Sequence, residues 1–101
     1  NKREDLPAHE TWKIRKQETL DHLKDAPVEV KMVTLGDKLS NIRAIYRDYS
    51  MLGDKLWERF NQKNKNEHGW YYKGIADCLK EELGETFAYK EYVQLVEKVF
   101  G

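Results

Sequence analysis

The chain has 101 residues, room for one small domain and not two. Eighteen basic and eighteen acidic residues cancel to a formal charge of zero, which argues against a chain built mainly to coat nucleic acid or an anionic membrane. Charged residues make up 36% of the chain against an ordinary ~25%, hydrophobic residues 40% and aromatics 12%, so the expectation is a folded set of amphipathic helices with solvated outer faces rather than a disordered tail.

The opening, Asn1–Pro7, is charged and reads as loose. A helical pattern follows over about 8–24, with Trp12, Thr19, Leu20 and Leu23 at helical spacing and Lys13, Lys16, Glu18 and Asp21 outward. Asp25-Ala26-Pro27 breaks it, and Pro27 suits the first turn of a second helix reaching about Leu52, where Gly53 punctuates. Val28, Met32, Leu35, Leu39, Ile42, Tyr46 and Tyr49 form one apolar stripe of that helix. A second face carries Val33, Gly36, Asp37, Ser40, Asn41 and Ala44. These side chains are small or polar rather than Lys/Glu-rich, so the helix is expected to be central and buried on more than one side.

A short helix over about 54–61 offers Leu56, Trp57 and Phe60, and Gln62–Asn66 reads as a loop. The next helix spans about 67–83, with Tyr71, Ile75, Cys78, Leu79 and Glu82 on one face and Gly84 at its end. Thr86 is placed to cap a last helix whose Tyr89, Tyr92, Val93, Val96, Val99 and Phe100 repeat at three and four. No segment alternates with period two for long enough to be a strand. The fold class is all-α, a bundle of about five helices forming a single helical domain or domain fragment over residues 1–101. No apolar run approaches the ~20 residues of a membrane span. No apolar signal-peptide core follows the polar start, and the lone Cys78 forms no internal disulfide and no Cys-rich zinc module. The expected setting is therefore the cytoplasm.

The most informative run is Val30-Lys31-Met32-Val33-Thr34-Leu35-Gly36-Asp37-Lys38-Leu39-Ser40-Asn41-Ile42-Arg43. Asp37 and Asn41 are four apart and share a helix face. A carboxylate there can ligate a hard or borderline metal, and the amide can bond a hydroxyl or base edge. The spacing leaves a second reading open, in which Asp37 is paired with Lys38, Arg43 or a neighbouring helix. Elsewhere the chemistry is sparse. His9 and His22 are thirteen apart and share no helical turn, His68 falls at a helix start, and Lys13 stands where His-Glu-x-x-His would need its second histidine. There is no Gly-rich phosphate loop and no serine nucleophile elbow, and Cys78 reads as a small core residue. Arg15-Lys16, Arg59 and Lys63–Lys65 form either a basic rim for phosphates or a solvated face balanced by nearby acids. Trp12, Trp57 and Trp70 read as core or inter-helix packing. The last helix packs back onto this chain or offers a groove to a partner or a second copy.

The run Leu35-Gly36-Asp37-Lys38-Leu39-Ser40-Asn41-Ile42-Arg43 resembles the late motif of the HD-domain phosphohydrolases, Leu-Ala-Asp-Lys/Arg-Leu-x-Asn-Leu/Met-Arg. The RelA/SpoT-type (p)ppGpp hydrolase domains are the branch it is most similar to. Trp12-Lys13-Ile14-Arg15-Lys16, Leu56-Trp57-Glu58-Arg59-Phe60-Asn61 and Trp70-Tyr71-Tyr72 look like the same branch. The resemblance implies an all-α fold, a divalent metal, Mn²⁺ in this branch, and removal of pyrophosphate from the 3′ position of a small nucleotide. By that resemblance Asp37 is the last metal ligand, Asn41 contacts the ribose or base, and Lys38 and Arg43 are structural or phosphate-side cations.

The chain departs from the pattern. The family uses a first His, a His-Asp pair and a Glu-Asp pair, and here none of the three histidines precedes an Asp. Glu4-Asp5 has the spelling of the acidic pair, but nothing precedes it except Asn1-Lys2-Arg3, so it is not given that role. Gly36 replaces the usual Ala. The resulting expectation is the C-terminal part of such a domain, with no catalytic residue of its own, inactive alone, and with one side of its central helix uncovered as an unstable monomer or a homo-oligomer. The rival expectation is a non-enzymatic helical interaction module or a degenerate relative in which Asp37 is paired inside a bundle. A pocket beside Asp37 with Asn41 alongside separates the first reading from the second.

Overall fold

The computed structural model describes residues 8–60 and 62–101, with side chains from residue 11 onward. The expected loose start, the Glu4-Asp5 pair and the His9 side chain lie outside the described residues. Four α-helices and one 3₁₀ segment follow in order: α1 (Ala8–Lys24), α2 (Val28–Leu52), the 3₁₀ segment (Gly53–Arg59), α3 (Lys65–Leu83) and α4 (Phe87–Phe100). The all-α class holds, with no strand among the described residues. No described helix is long and apolar enough to cross a membrane.

The boundaries follow from local chemistry. Ala26 N–H donates to the Leu23 carbonyl at 3.1 Å and closes α1, and Pro27, at φ −66°, caps α2. Gly53 ends α2 at φ +60°, a left-handed conformation that costs a residue with a Cβ about 1–2 kcal/mol. The expected short helix at 54–61 is a 3₁₀ turn, and α3 starts earlier than the pattern predicts, because Asn64 caps it by accepting from Asn66 N–H at 2.8 Å. Thr86 caps α4 as expected, accepting from Tyr89 N–H at 3.1 Å.

The core lies where α2, α3 and α4 meet, with Leu39 and Ile42 from α2, Ile75 and Leu79 from α3, and Tyr92 and Val96 from α4. The 3₁₀ segment adds Leu56 and Trp57, and α1 reaches the core with Leu20 and Leu23. α1 packs on α3 and makes at most a marginal contact with α2, which leaves a gap between the first two helices.

The expected stripe of α2 is partly corrected. Leu35, Leu39 and Ile42 are buried and Tyr46 and Tyr49 half-buried, but Val28 and Met32 are exposed, and Lys31 and Ile45 are buried instead. The expectation that the second face is also buried fails. Val33 is 74% exposed, Gly36 has open space where a Cβ would stand, and Ser40 and Asn41 face outward. Nothing among the described residues covers that face.

Candidate functional site

The gap between α1 and α2 is a cleft of about 570 Å³. Thr19, His22 and Leu23 of α1 form one wall, and Val30, Val33, Asp37 and Lys38 of α2 the other. Tyr71 and Ile75 of α3 make the floor, and Ala26 closes the end between the helices. The cleft exists because α1 rests on α3 rather than on α2. Close approach of α1 to α3 depends on Gly74, whose missing Cβ would stand 2.7 Å from Leu20 Cδ1.

Asp37 sits at the mouth of this cleft with its side chain 63% exposed. Its one recorded ion pair is with the adjacent Lys38, Oδ2 to Nζ at 3.5 Å, too long and too exposed to fix the carboxylate. Arg43, the other expected partner, turns to α4 and grips Glu91 with two bonds of 2.6 and 2.7 Å. That pairing raises the guanidinium and lowers the Glu91 carboxyl, chiefly through the hydrogen bonds between them. So Arg43 is a surface clamp between α2 and α4, outside the cleft. Asn41 lies on the exposed side of α2 one turn beyond Asp37 and is not part of the cleft wall. The structure thus brings Asp37 and Lys38 to one opening and leaves Asn41 on the same helix face beside it.

Tyr71 ties Lys38 to a residue outside the cleft lining, Lys16. Tyr71 lies on the cleft floor with the Lys38 ammonium 5.6 Å from the ring centroid. Lys16 reaches the same ring from α1 at 4.8 Å and the Trp12 ring at 5.8 Å. Burial pushes the Tyr71 phenol up, and the Asp37 carboxylate adds to the effect. Burial also lowers the Lys16 ammonium, with Lys38 and Arg15 contributing in that order. The sequence pattern placed Lys16 on an outer face, yet it is half-buried. The signal was present: residue 16 stands one turn from both Trp12 and Leu20, within the inward stripe.

The other basic residues of the expected rim are engaged within the chain. Arg15 Nε donates to the Thr11 carbonyl, and Arg59 faces Asp48. Lys63 donates to the carbonyls of Glu58 and Phe60, and Lys65 to the Tyr49 hydroxyl. His68 falls at the start of α3 as expected, and it is buried among Trp12, Trp57 and Phe60, where its Nε2–H donates to the Gln62 carbonyl at 2.7 Å. Cys78 is half-buried with its thiol 3.4 Å from the Leu20 carbonyl, and burial pushes the thiol up, which suits the packing role expected of it.

The metal implied by the resemblance finds too few donors. No group of three or more His, Cys, Asp or Glu among the described residues can hold an ion. His22 and Asp37 are the metal-binding types lining the cleft, short of a closed tetrahedral or octahedral set. No family model, curated protein or solved structure matches the chain.

Proposed function

We propose that this chain is the C-terminal part of an HD-type, metal-dependent phosphohydrolase of small nucleotides, of the (p)ppGpp 3′-pyrophosphohydrolase kind. The observation that carries the reading is the state of Asp37. It lies in the motif run, stands at the mouth of a cleft, and is not locked into a pair by Arg43 or by another helix. A helix-interior Asp kept for packing would be buried with a partner. In this reading Asp37 contributes one ligand. The remaining ligands of the Mn²⁺ site would come from outside the described residues, among which no group of three or more such donors can hold an ion. Lys38 places positive charge beside the phosphate, and Asn41 offers a donor and an acceptor to a hydroxyl or base edge. The chain alone does not catalyse. A second reading, a helical interaction module, is supported by a different observation: Val28, Val30, Met32 and Val33 lie exposed along α2.

Intact mass of the protein as its host makes it tests whether chain precedes Asn1. Hydrolysis of (p)ppGpp with Mn²⁺ is then followed in that intact protein and in its Asp37→Asn variant. The expected loss is more than ~100-fold, as for removal of a ligand that the metal needs. Unchanged hydrolysis in the variant, or hydrolysis by residues 1–101 alone, overturns the proposal.

A further inference from the structure

We infer that Lys16 and Lys38, converging over the Tyr71 ring, form a subsite for a phosphate or pyrophosphate group at the mouth of the α1–α2 cleft. The two ammonium groups come from different helices and both stand close to the Tyr71 ring, 4.8 and 5.6 Å from its centroid. Lys13 adds a third cation nearby, over Trp70 at 4.9 Å, partly offset by Glu67 at 3.2 Å. No carboxylate among the described residues pairs with Lys16, and Lys38 has only the solvent-facing Asp37.

Two like charges drawn together in a half-buried place repel each other more strongly than in open water. Burial is the main reason the Lys16 ammonium is lowered, and the Lys38 charge lowers it further. The aromatic faces of Trp12 and Tyr71 offset part of that cost, but at about 0.5–1 kcal/mol per exposed contact they do not remove it. An anion seated between the two does. Its chemistry is specified by what surrounds it. The donors are lysines, compact point charges suited to the several oxygens of a phosphate, and no guanidinium joins them because Arg15 and Arg43 both face elsewhere. Behind the cations the cleft is apolar, with Leu23, Val30, Val33 and Ile75, and its ~570 Å³ lies in the range of small-molecule sites. The ligand is therefore a phosphate ester whose organic part enters between α1 and α2.

If the hydrolase reading holds, this is where the substrate's phosphates rest, so the inference deepens that reading and names Lys16, which the motif does not contain. It stands or falls separately, because its test needs neither metal nor turnover. Inorganic pyrophosphate is titrated into the 101-residue chain with EDTA present, followed by ¹H–¹⁵N NMR and calorimetry. Shifts are expected at Lys16, Lys38 and Tyr71, with affinity falling as salt is raised. Lys16→Met keeps the aliphatic stem on Trp12 and Tyr71 and should weaken binding about tenfold, the loss of one charged hydrogen bond. The exposed Lys55→Gln should leave it unchanged. Circular dichroism establishes that both variants fold. Equal affinity for Lys16→Met and the parent, or shifts that map away from the cleft, overturns the subsite. An unaltered rate in Asp37→Asn overturns the hydrolase reading and leaves this one standing.

Discussion

The two ends of the bundle are built on opposite plans. Where α3, α4 and the 3₁₀ segment meet, aromatic rings close on one another and buried hydroxyl and imidazole groups find partners, although Trp57 Nε1 has none. Tyr72 and Phe100 stack with centroids 5.8 Å apart, and His68 stacks on Trp57 at 5.3 Å. The Tyr92 hydroxyl donates to the Tyr72 carbonyl at 2.7 Å, and Gly69, with no Cβ, lets the Phe100 ring come within 3.2 Å of where one would stand. Where α1 faces α2 the plan reverses. The helices stand apart, apolar side chains meet solvent, and a carboxylate and an ammonium line the opening, with the Lys16 ammonium close to the Tyr71 ring of its floor. The difference separates the roles: the closed end holds the packed core, and the open end leaves charged and apolar groups to solvent.

The largest effect should come from the closed end. Leu79 of α3 is fully buried, and Leu79→Ala removes its contacts and leaves a cavity. The expected cost is about 2–5 kcal/mol, read as a fall in urea midpoint. In a small domain that is a large part of the total, so partial unfolding at room temperature is the expected outcome. A loss under ~1 kcal/mol would mean that this region is not the chain's stable core.

Lys31 tests the border between the ends. It is 3% exposed, and its ammonium bonds Glu82 at 2.7 Å, while the Glu82 side chain is 38% exposed. Glu82→Gln leaves a buried ammonium without its counter-charge. The cost should be about 1 kcal/mol, less than the ~3–5 of a fully buried pair because solvent reaches Glu82. Lys31→Met removes both the charge and the need for a partner, and should be neutral or stabilising. If Lys31→Met costs more than Glu82→Gln, the pair rather than the burial of the lysine stem holds α2 to α3.

The next effect is a pH dependence. Burial lowers the His68 imidazole below its usual value, outweighing the Gln62 hydrogen bond that favours the proton. The unfolded chain then binds the proton more readily than the folded one. Stability from this group is complete above the ordinary ~6.5 and is lost as pH falls below it towards the depressed value. At the alkaline limit the sign reverses: burial pushes the Tyr72 phenol up to about 12 and raises Tyr92 as well, so stability falls as pH climbs past ~10. Denaturation midpoints across pH 5–8 for the parent and His68→Phe check the acid side. The variant should show a shallower fall, and an identical slope would place the titration elsewhere.

What was legible in the sequence divides along the same line. Element boundaries could be read because they are local: Pro27, Gly53, Gly84 and Thr86 each act through their own backbone or the next turn. The faces of α2 could not, because periodicity says which residues align and not what covers them. Val28 and Met32 align with Leu35 yet meet solvent, since α1 leaves that part of α2 bare. Small residues at 36, 40 and 44 suggested a close neighbour, and Gly36 has none within 4 Å. His68 lies in the first turn of α3, as its place in the sequence predicts, but its surroundings come from α1 and the 3₁₀ segment, far apart in sequence, and no local pattern announces them. Asp37 was singled out by its motif alone, while Lys16 needed the fold to show which ring it shares with Lys38.

The smallest expected effect makes the sharpest use of the contrast. Val33 is 74% exposed on α2 beside Asp37, so Val33→Lys should change the stability of the isolated chain by no more than ~0.5 kcal/mol. The same change would be severe on a covered face, since an unpaired ammonium there costs several kcal/mol. Denaturation and sedimentation of the two proteins therefore report directly on what occupies this surface. Equal stability and equal mass mean that the face is open in the chain alone and free to receive further chain. A loss above ~1 kcal/mol, or an oligomer in the parent that dissociates in the variant, means that a second copy already covers it, and the closed-end and open-end distinction then belongs to the protomer and not to the assembly.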